Sequence, residues 1–243
     1  MKSKTLPSEP KRSRVAVFDW DDTLHKGFTI LPWCDFLYSR GLFERRSIRE
    51  IKRLFTAYHH GTIGYAELCA ATALTYAEGI AGSEVEQAVA TASHFVQNGD
   101  TGLHRFAVRI LRLLQKLGIG SVVVSGAPLE VLQEYAKKYP VSRMFGLEIS
   151  RSDGLFAAKV RANYGLRRKK AAAMREILGT SKVLFAVGNS AEDFPLLRSA
   201  EVGILLGKRT SMPSRNLRSD FAYCTASSIE QFIRAVLQRR LEV

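Results

Sequence analysis

The sequence is poor in cysteine, in long apolar runs and in negative charge, and each shortage excludes something. Its three cysteines, Cys34, Cys69 and Cys224, are scattered over 243 residues. Their spacing matches no zinc or redox pattern, and three cannot all pair within one chain. A disulfide-stapled scaffold is therefore excluded, and a reducing cytoplasm is the expected location. No apolar run approaches the roughly 18–20 residues that a membrane helix needs. Residues 1–13 are polar and basic, contain Pro7 and Pro10, and lack the apolar centre of a secretory signal. They are expected to form a disordered arm. Acidic residues number 23 against 36 Lys and Arg, a formal net charge of +13.

The positive charge is uneven. The stretch 159–175 holds Lys159, Arg161, Arg167, Arg168, Lys169, Lys170 and Arg175 and no acidic residue. Such a run is either a solvated face or an attractor of anions. No aromatic-interleaved or other nucleic-acid signature accompanies it, so nucleic acid is not the favoured partner. There is no internal repeat and no signal for an oligomeric state.

What is present is an alternation of strand and helix patterns with one interruption. Residues 14–19 read as a short buried strand. From about 30 to 100 the pattern is helical, with Ser47-x-x-Glu50 and Ser83-x-x-Glu86 as capping boxes starting two helices. Phe106, Ile110, Leu113, Leu114 and Leu117 then follow helical spacing until Gly118 and Gly120 stop it. Strands are expected at 121–124, 145–149, 155–160, 183–187 and 202–206. Helices are expected at 128–138, 169–178, 191–199 and 229–238. Ser152-Asp153-Gly154 reads as a hairpin turn. Strands alternating with helices argue for an α/β fold with a parallel sheet covered on both faces. The expected division is a core from 14–27 and 101–243, with residues 28–100 as an inserted all-helical cap.

Four loops at strand ends or helix starts carry groups suited to chemistry. In Val15-Ala16-Val17-Phe18-Asp19-Trp20-Asp21-Asp22-Thr23-Leu24 an apolar strand drives into two carboxylates. Ligands of open α/β sheets bind at that carboxyl edge. One carboxylate can attack phosphorus, and a second can protonate the leaving oxygen and later activate water. Ser125-Gly126 ends another strand, and its hydroxyl and backbone N–H groups suit a phosphate oxygen. Lys170 opens a helix where its ammonium would offset the charge of nucleophile and phosphate. Lys159 and Lys169 remain alternatives for that role. Gly188-Asn189-Ser190-Ala191-Glu192-Asp193 forms an oxygen-rich loop of the kind that suits Mg²⁺.

Together, in this order, the four segments resemble the haloacid dehalogenase-like (HAD) phosphohydrolases over residues 15 to about 206. The helical block and the hairpin near Asp153-Gly154 are similar to the subgroup that contains phosphoserine phosphatase. The resemblance implies a Rossmann-like core, Asp19 as nucleophile and Asp21 as general acid/base. It also implies phosphate binding by Ser125, Gly126 and Lys170. Mg²⁺ would be held by Asp19, the Asp21 backbone carbonyl, Asn189 and Asp193. The implied activity is hydrolysis of a small organic phosphate through an aspartyl-phosphate. A phosphotransferase on the same fold, and a non-catalytic protein holding an anion or nucleic acid at a degenerate site, are the competing readings.

Three positions depart from the family pattern. Asp22 stands where Gly is usual, and Asp tolerates unusual turn dihedrals. Asn189 replaces an Asp, which removes charge from the metal loop and leaves Glu192 or, preferably, Asp193 to supply it. Phe28 stands where phosphoserine phosphatases carry a Glu for the substrate amine, which argues against phosphoserine. Trp20, Trp33, Phe36 and His25 are each readable as pocket or as packing.

Overall fold

The protein is described here from a computed structural model covering residues 13–99, 102–207 and 220–241. The expected arm lies outside the described residues, except Ser13, which already belongs to the first strand. That strand, β1 (Ser13–Phe18), is the sheet's centre. Its Val15 and Val17 join one apolar cluster and its Ala16 and Phe18 another. Period-two alternation thus feeds both faces of a sheet that is covered twice.

A helical block follows: α1 (Ile30–Ser39), α2 (Arg45–His59), α3 (Tyr65–Ile80) and α4 (Val85–His94), prolonged by a π turn over Phe95–Gly99. Neither expected capping box caps a helix. Ser47 lies inside the first turn of α2 and is buried, because the helix begins two residues earlier behind Glu44. Ser83 precedes the N-cap residue Glu84, and its hydroxyl donates to the Leu42 carbonyl instead. A tertiary contact claimed the Ser83 hydroxyl, and the earlier start of α2 placed Ser47 inside the helix.

The chain then runs α5 (Arg105–Lys116), β2 (Gly120–Pro128), α6 (Leu129–Lys138), β3 (Arg143–Ser152) and β4 (Leu155–Asn163). It continues with α7 (Arg167–Thr180), β5 (Ser181–Gly188), a 3-10 turn (Ala191–Asp193) and α8 (Phe194–Arg198). Last come β6 (Gly203–Leu206), β7 (Ala222–Cys224) and α9 (Ile229–Leu241). The expected helix 191–199 is therefore a tight turn followed by a short helix. The strand β7 had no counterpart in the sequence reading, since three residues are too few to show a period.

The seven strands order as β4-β3-β2-β1-β5-β6-β7. All neighbours are parallel except the β3–β4 hairpin. The fold is α/β and Rossmann-like. Helices α7 and α8 cover one face through Met174, Ile177, Leu196 and Leu197. On the other face α5, α6, α9 and the helical block share one continuous core. The block is also tied down by backbone bonds to the hairpin: Gly82 N–H to Phe156 O at 2.8 Å and Val85 N–H to Gly154 O at 2.9 Å. The chain passes from β1 to β2 on one side and returns later, from β4 through α7, to β5 on the other, which makes the carboxyl end of β1 a topological switch point.

Candidate active site

Three parallel strands deliver the expected residues to one place. Phe18 pairs with Val123 of β2 and with Val187 of β5. One residue further on, Asp19 donates its backbone N–H to Val187 O at 2.9 Å. Asp19, Ser125 and Gly188 therefore leave adjacent strand ends together.

Asp19 is only 5% exposed. Its Oδ1 accepts from Lys170 Nζ at 2.6 Å and its Oδ2 from Thr23 Oγ1 at 3.0 Å. Lys170, from the first turns of α7, is buried and also bonds Asp193 Oδ1. Of the three candidate lysines it is the one in the site; Lys159 is exposed and Lys169 half-exposed. Burial pushes the Asp19 carboxyl up to about 7, and Asp193 adds to this while Lys170 opposes it. The two carboxylates hold the Lys170 ammonium above its ordinary range against the effect of burial.

Asp21 stands in different surroundings. Its Oδ1 accepts from Thr29 N at 2.9 Å and Thr29 Oγ1 at 2.6 Å. The same Thr29 hydroxyl accepts from Trp20 Nε1 at 2.9 Å, which fixes its proton on Asp21. Burial raises the Asp21 carboxyl, and the Thr29 bonds only partly offset this. Asp22 takes the left-handed conformation at φ 54°, the backbone state for which glycine is the usual residue. Its Oδ1 accepts from Gly27 N at 2.8 Å and closes the loop. Trp33 is buried among aromatic rings and packs, whereas His25, buried and stacked on Trp20, places its Nδ1 3.4 Å from the Thr29 hydroxyl that holds Asp21.

Ser125 is 1% exposed and accepts Ala127 N–H at 3.0 Å, which shapes the turn behind it. Beyond it the backbone comes close to the β4–α7 connection. A Cβ on Gly126 would lie 3.1 Å from Gly165 Cα, so a side chain there would push the two segments apart.

Asp193 is expected among the groups that hold the metal. It is fully buried, and its Oδ2 accepts from Asn189 N at 3.0 Å, Ser190 N at 2.8 Å and Ser190 Oγ at 2.9 Å. With Lys170 on Oδ1, both oxygens are engaged. Asp193 anchors the loop and the lysine. The Ser190-x-x-Asp193 spacing is a capping box legible in the sequence, and the reading passed over it. Gly188 is required beneath it, because a Cβ there would stand 2.4 Å from Asp193 Cβ. Asn189 Nδ2 lies 3.3 Å from the Asp21 backbone oxygen.

A small cavity of about 30 Å³ opens from Asp21 and Gly126 into the helical block, where Phe28, Thr72 and Asn163 help to line it. Asn163 joins the two sides, donating to Cys69 O at 2.9 Å and accepting Gly165 N–H at 3.0 Å. Sequence reading named neither Thr72 nor Asn163, since neither sits in a motif.

The family model that matches this chain, haloacid dehalogenase-like hydrolase, spans residues 16–198. The chain belongs to the haloacid dehalogenase-like hydrolases. No curated protein matches its sequence. Among solved structures, this hydrolase is similar to a protein of unknown function from Bordetella pertussis Tohama I. The TM-score is 0.69 at 19% identity, covering 89% of this chain and 100% of the other. It is also similar to a phosphoserine phosphatase captured as a phospho-aspartyl intermediate analogue. There the TM-score is 0.61 at 17% identity, covering 89% and 94%. A phosphoserine phosphatase from T. onnurineus gives 0.56 at 18% identity, covering 93% and 98%. These likenesses establish the fold of the hydrolase. Among the described residues no helix is long and apolar enough to cross a membrane.

Proposed function

We propose that this HAD hydrolase is a Mg²⁺-dependent phosphomonoesterase acting on a small organic phosphate. One observation carries the reading. Asp19 and Asp21 leave the same strand end, yet one faces an ammonium and the other faces neutral threonine donors. Two carboxyls in unlike surroundings are suited to two roles.

In this reading Asp19 attacks phosphorus and forms an aspartyl-phosphate, the species whose analogue is named for one structural neighbour. Asp21, whose carboxyl burial raises, gives its proton to the departing alcohol oxygen. It then takes a proton from the water that splits the acyl phosphate. Thr29 holds Oδ1 of Asp21, which leaves Oδ2 for proton transfer. Lys170 offsets charge on Asp19 and the phosphoryl oxygens, and Ser125 and Gly126 border the phosphate. The helical block, residues 28–100, acts as the cap over this chemistry and keeps bulk water from the first step.

The residues fit a magnesium ion. Asp19 and Asp193 oppose a single buried ammonium, and Asp21 stands nearby, so the cluster is short of positive charge. Among the described residues no three His, Cys, Asp or Glu side chains group as a metal cage. Mg²⁺ needs no such cage, since one or two carboxylates, waters and substrate oxygens suffice. Asp19, the Asp21 carbonyl and, with its amide turned so that Nδ2 leaves that carbonyl, the Asn189 oxygen would hold it, while Asp193 supports the loop from behind. Bound there, the ion would supply positive charge to the phosphoryl oxygens and favour the ionised Asp19 carboxylate.

The test is phosphate release from an aryl phosphate, with and without Mg²⁺, for wild type and Asp19→Asn. Magnesium-dependent release, lost in the variant, is the expected result. An equal rate from Asp19→Asn removes the mechanism. Release only after a non-water acceptor is added would favour the phosphotransferase.

A further inference from the structure

The cavity beside Asp21 has a composition that selects a leaving group. Its apolar wall is Phe28, Ile30, Phe55, Leu68, Ala73 and Leu147. Among the described residues, Asp21 is the only charged one lining it, and none of the lining residues is basic. A carboxylate entering here would find no cation. An ammonium would find no anion except the acid/base itself. Burying either without a partner is costly, whereas apolar surface gains from entry.

A second feature points to a ligand. Thr72 is 5% exposed, lines this cavity from α3, and its hydroxyl has no hydrogen-bond partner. It does not bond back to its own helix as threonines commonly do. Buried hydroxyls are ordinarily satisfied, so an orphan in a cavity wall marks a place where something else supplies the bond. Of the other polar groups lining it, Asn163 is held by Gly165 N–H and Cys69 O, and Tyr65 bonds the Cys69 side chain. At about 30 Å³ the space holds about one or two waters as it stands. A leaving group must therefore displace them and part α2 from α3 slightly.

From these observations we infer that the substrate is a phosphomonoester of an uncharged, largely apolar alcohol. That alcohol carries one hydrogen-bonding group, which Thr72 recognises. The inference rests on the phosphatase reading for its phosphate position, and its test is arranged so that the two fail separately.

Binding is measured by calorimetry on full-length Asp19→Asn protein with Mg²⁺, which holds phosphate esters without turning them over. The ligands are phenyl phosphate, butyl phosphate, butanediol monophosphate, O-phosphoserine and O-phosphoethanolamine. Phenyl and butyl phosphate are expected to bind at least about tenfold tighter than the two charged esters. Introducing Thr72→Val should weaken the diol monophosphate about fivefold and leave butyl phosphate within about twofold, the size of one net hydrogen bond. Thr72→Ser should restore the diol preference. Equal binding of all five esters, tighter binding of a charged ester, or binding of none overturns the inference. Selective binding with no turnover by wild type would count against the phosphatase and leave the pocket chemistry standing.

Discussion

The Asp19 carboxyl has its pKa raised from 3.8 to about 7, chiefly by burial. A raised carboxyl contributes stability that is fully present below the unfolded value and is lost as pH rises through the folded one. Metal-free wild type should therefore lose stability between pH 3.8 and about 7, where the unfolded chain ionises before the folded one. Asp19→Asn has no such proton to lose. Its melting temperature, relative to wild type in chelator, should climb across that window and level off above it. A flat difference in thermal scans would mean that Asp19 is not perturbed. Mg²⁺ binding turns on another single residue. Asn189 brings an amide and no charge to the Asp21 carbonyl. Asn189→Asp should bind Mg²⁺ about tenfold more tightly by titration, since an added carboxylate acts on a hard cation at close range.

At the level of elements, three helices meet on one buried carboxylate. Glu130 of α6 is 2% exposed and accepts from Tyr76 of α3 and, at 3.3 Å, from Trp33 of α1. Burial raises this carboxyl, with the tyrosine and tryptophan bonds opposing the rise. The contact fastens the helical block to the sheet's own helix. Removing the tyrosine hydroxyl leaves Glu130 with one fewer donor in a dry place. Tyr76→Phe should cost about 1–3 kcal/mol in denaturant unfolding. If α1 and α3 move as a lid, it should also alter KM more than kcat for a bulky ester. The hairpin β3–β4 supplies the second attachment through Phe156 and Gly154, so the block is held at two points. The helix expected at 191–199 shortened for a local reason. Asp193 turned inward to Lys170, and the turn before Phe194 tightened to let it do so.

Over the whole molecule the net charge is +13, yet the basic run 159–175 is not one uniform positive surface. Arg161 meets Glu148 at 3.1 Å, Arg167 lies 4.0 Å from Glu192, and Lys170 is buried between two aspartates. The remaining excess is diffuse, and a diffuse positive field acts on the approach of anions. For a phosphate ester, kcat/KM should fall severalfold from about 20 to 300 mM salt while kcat holds, because screening shortens the reach of the field. A salt-independent kcat/KM would show that the charge plays no part in capture. Sequence alone determined the α/β alternation, the first buried strand, the paired aspartates and, through the family resemblance, Lys170 as the preferred lysine. Those features are local: a period of two, a carboxyl at a strand end, a lysine at a helix start. Only the tertiary structure decided that Asp193 meets Lys170, that Glu130 meets Tyr76 and Trp33, and that Thr72 stands in a cavity wall. Each lies against residues remote in sequence or in a wall built by several elements. A side chain's partners at that range depend on how the sheet and helices pack, and no spacing along the chain encodes them.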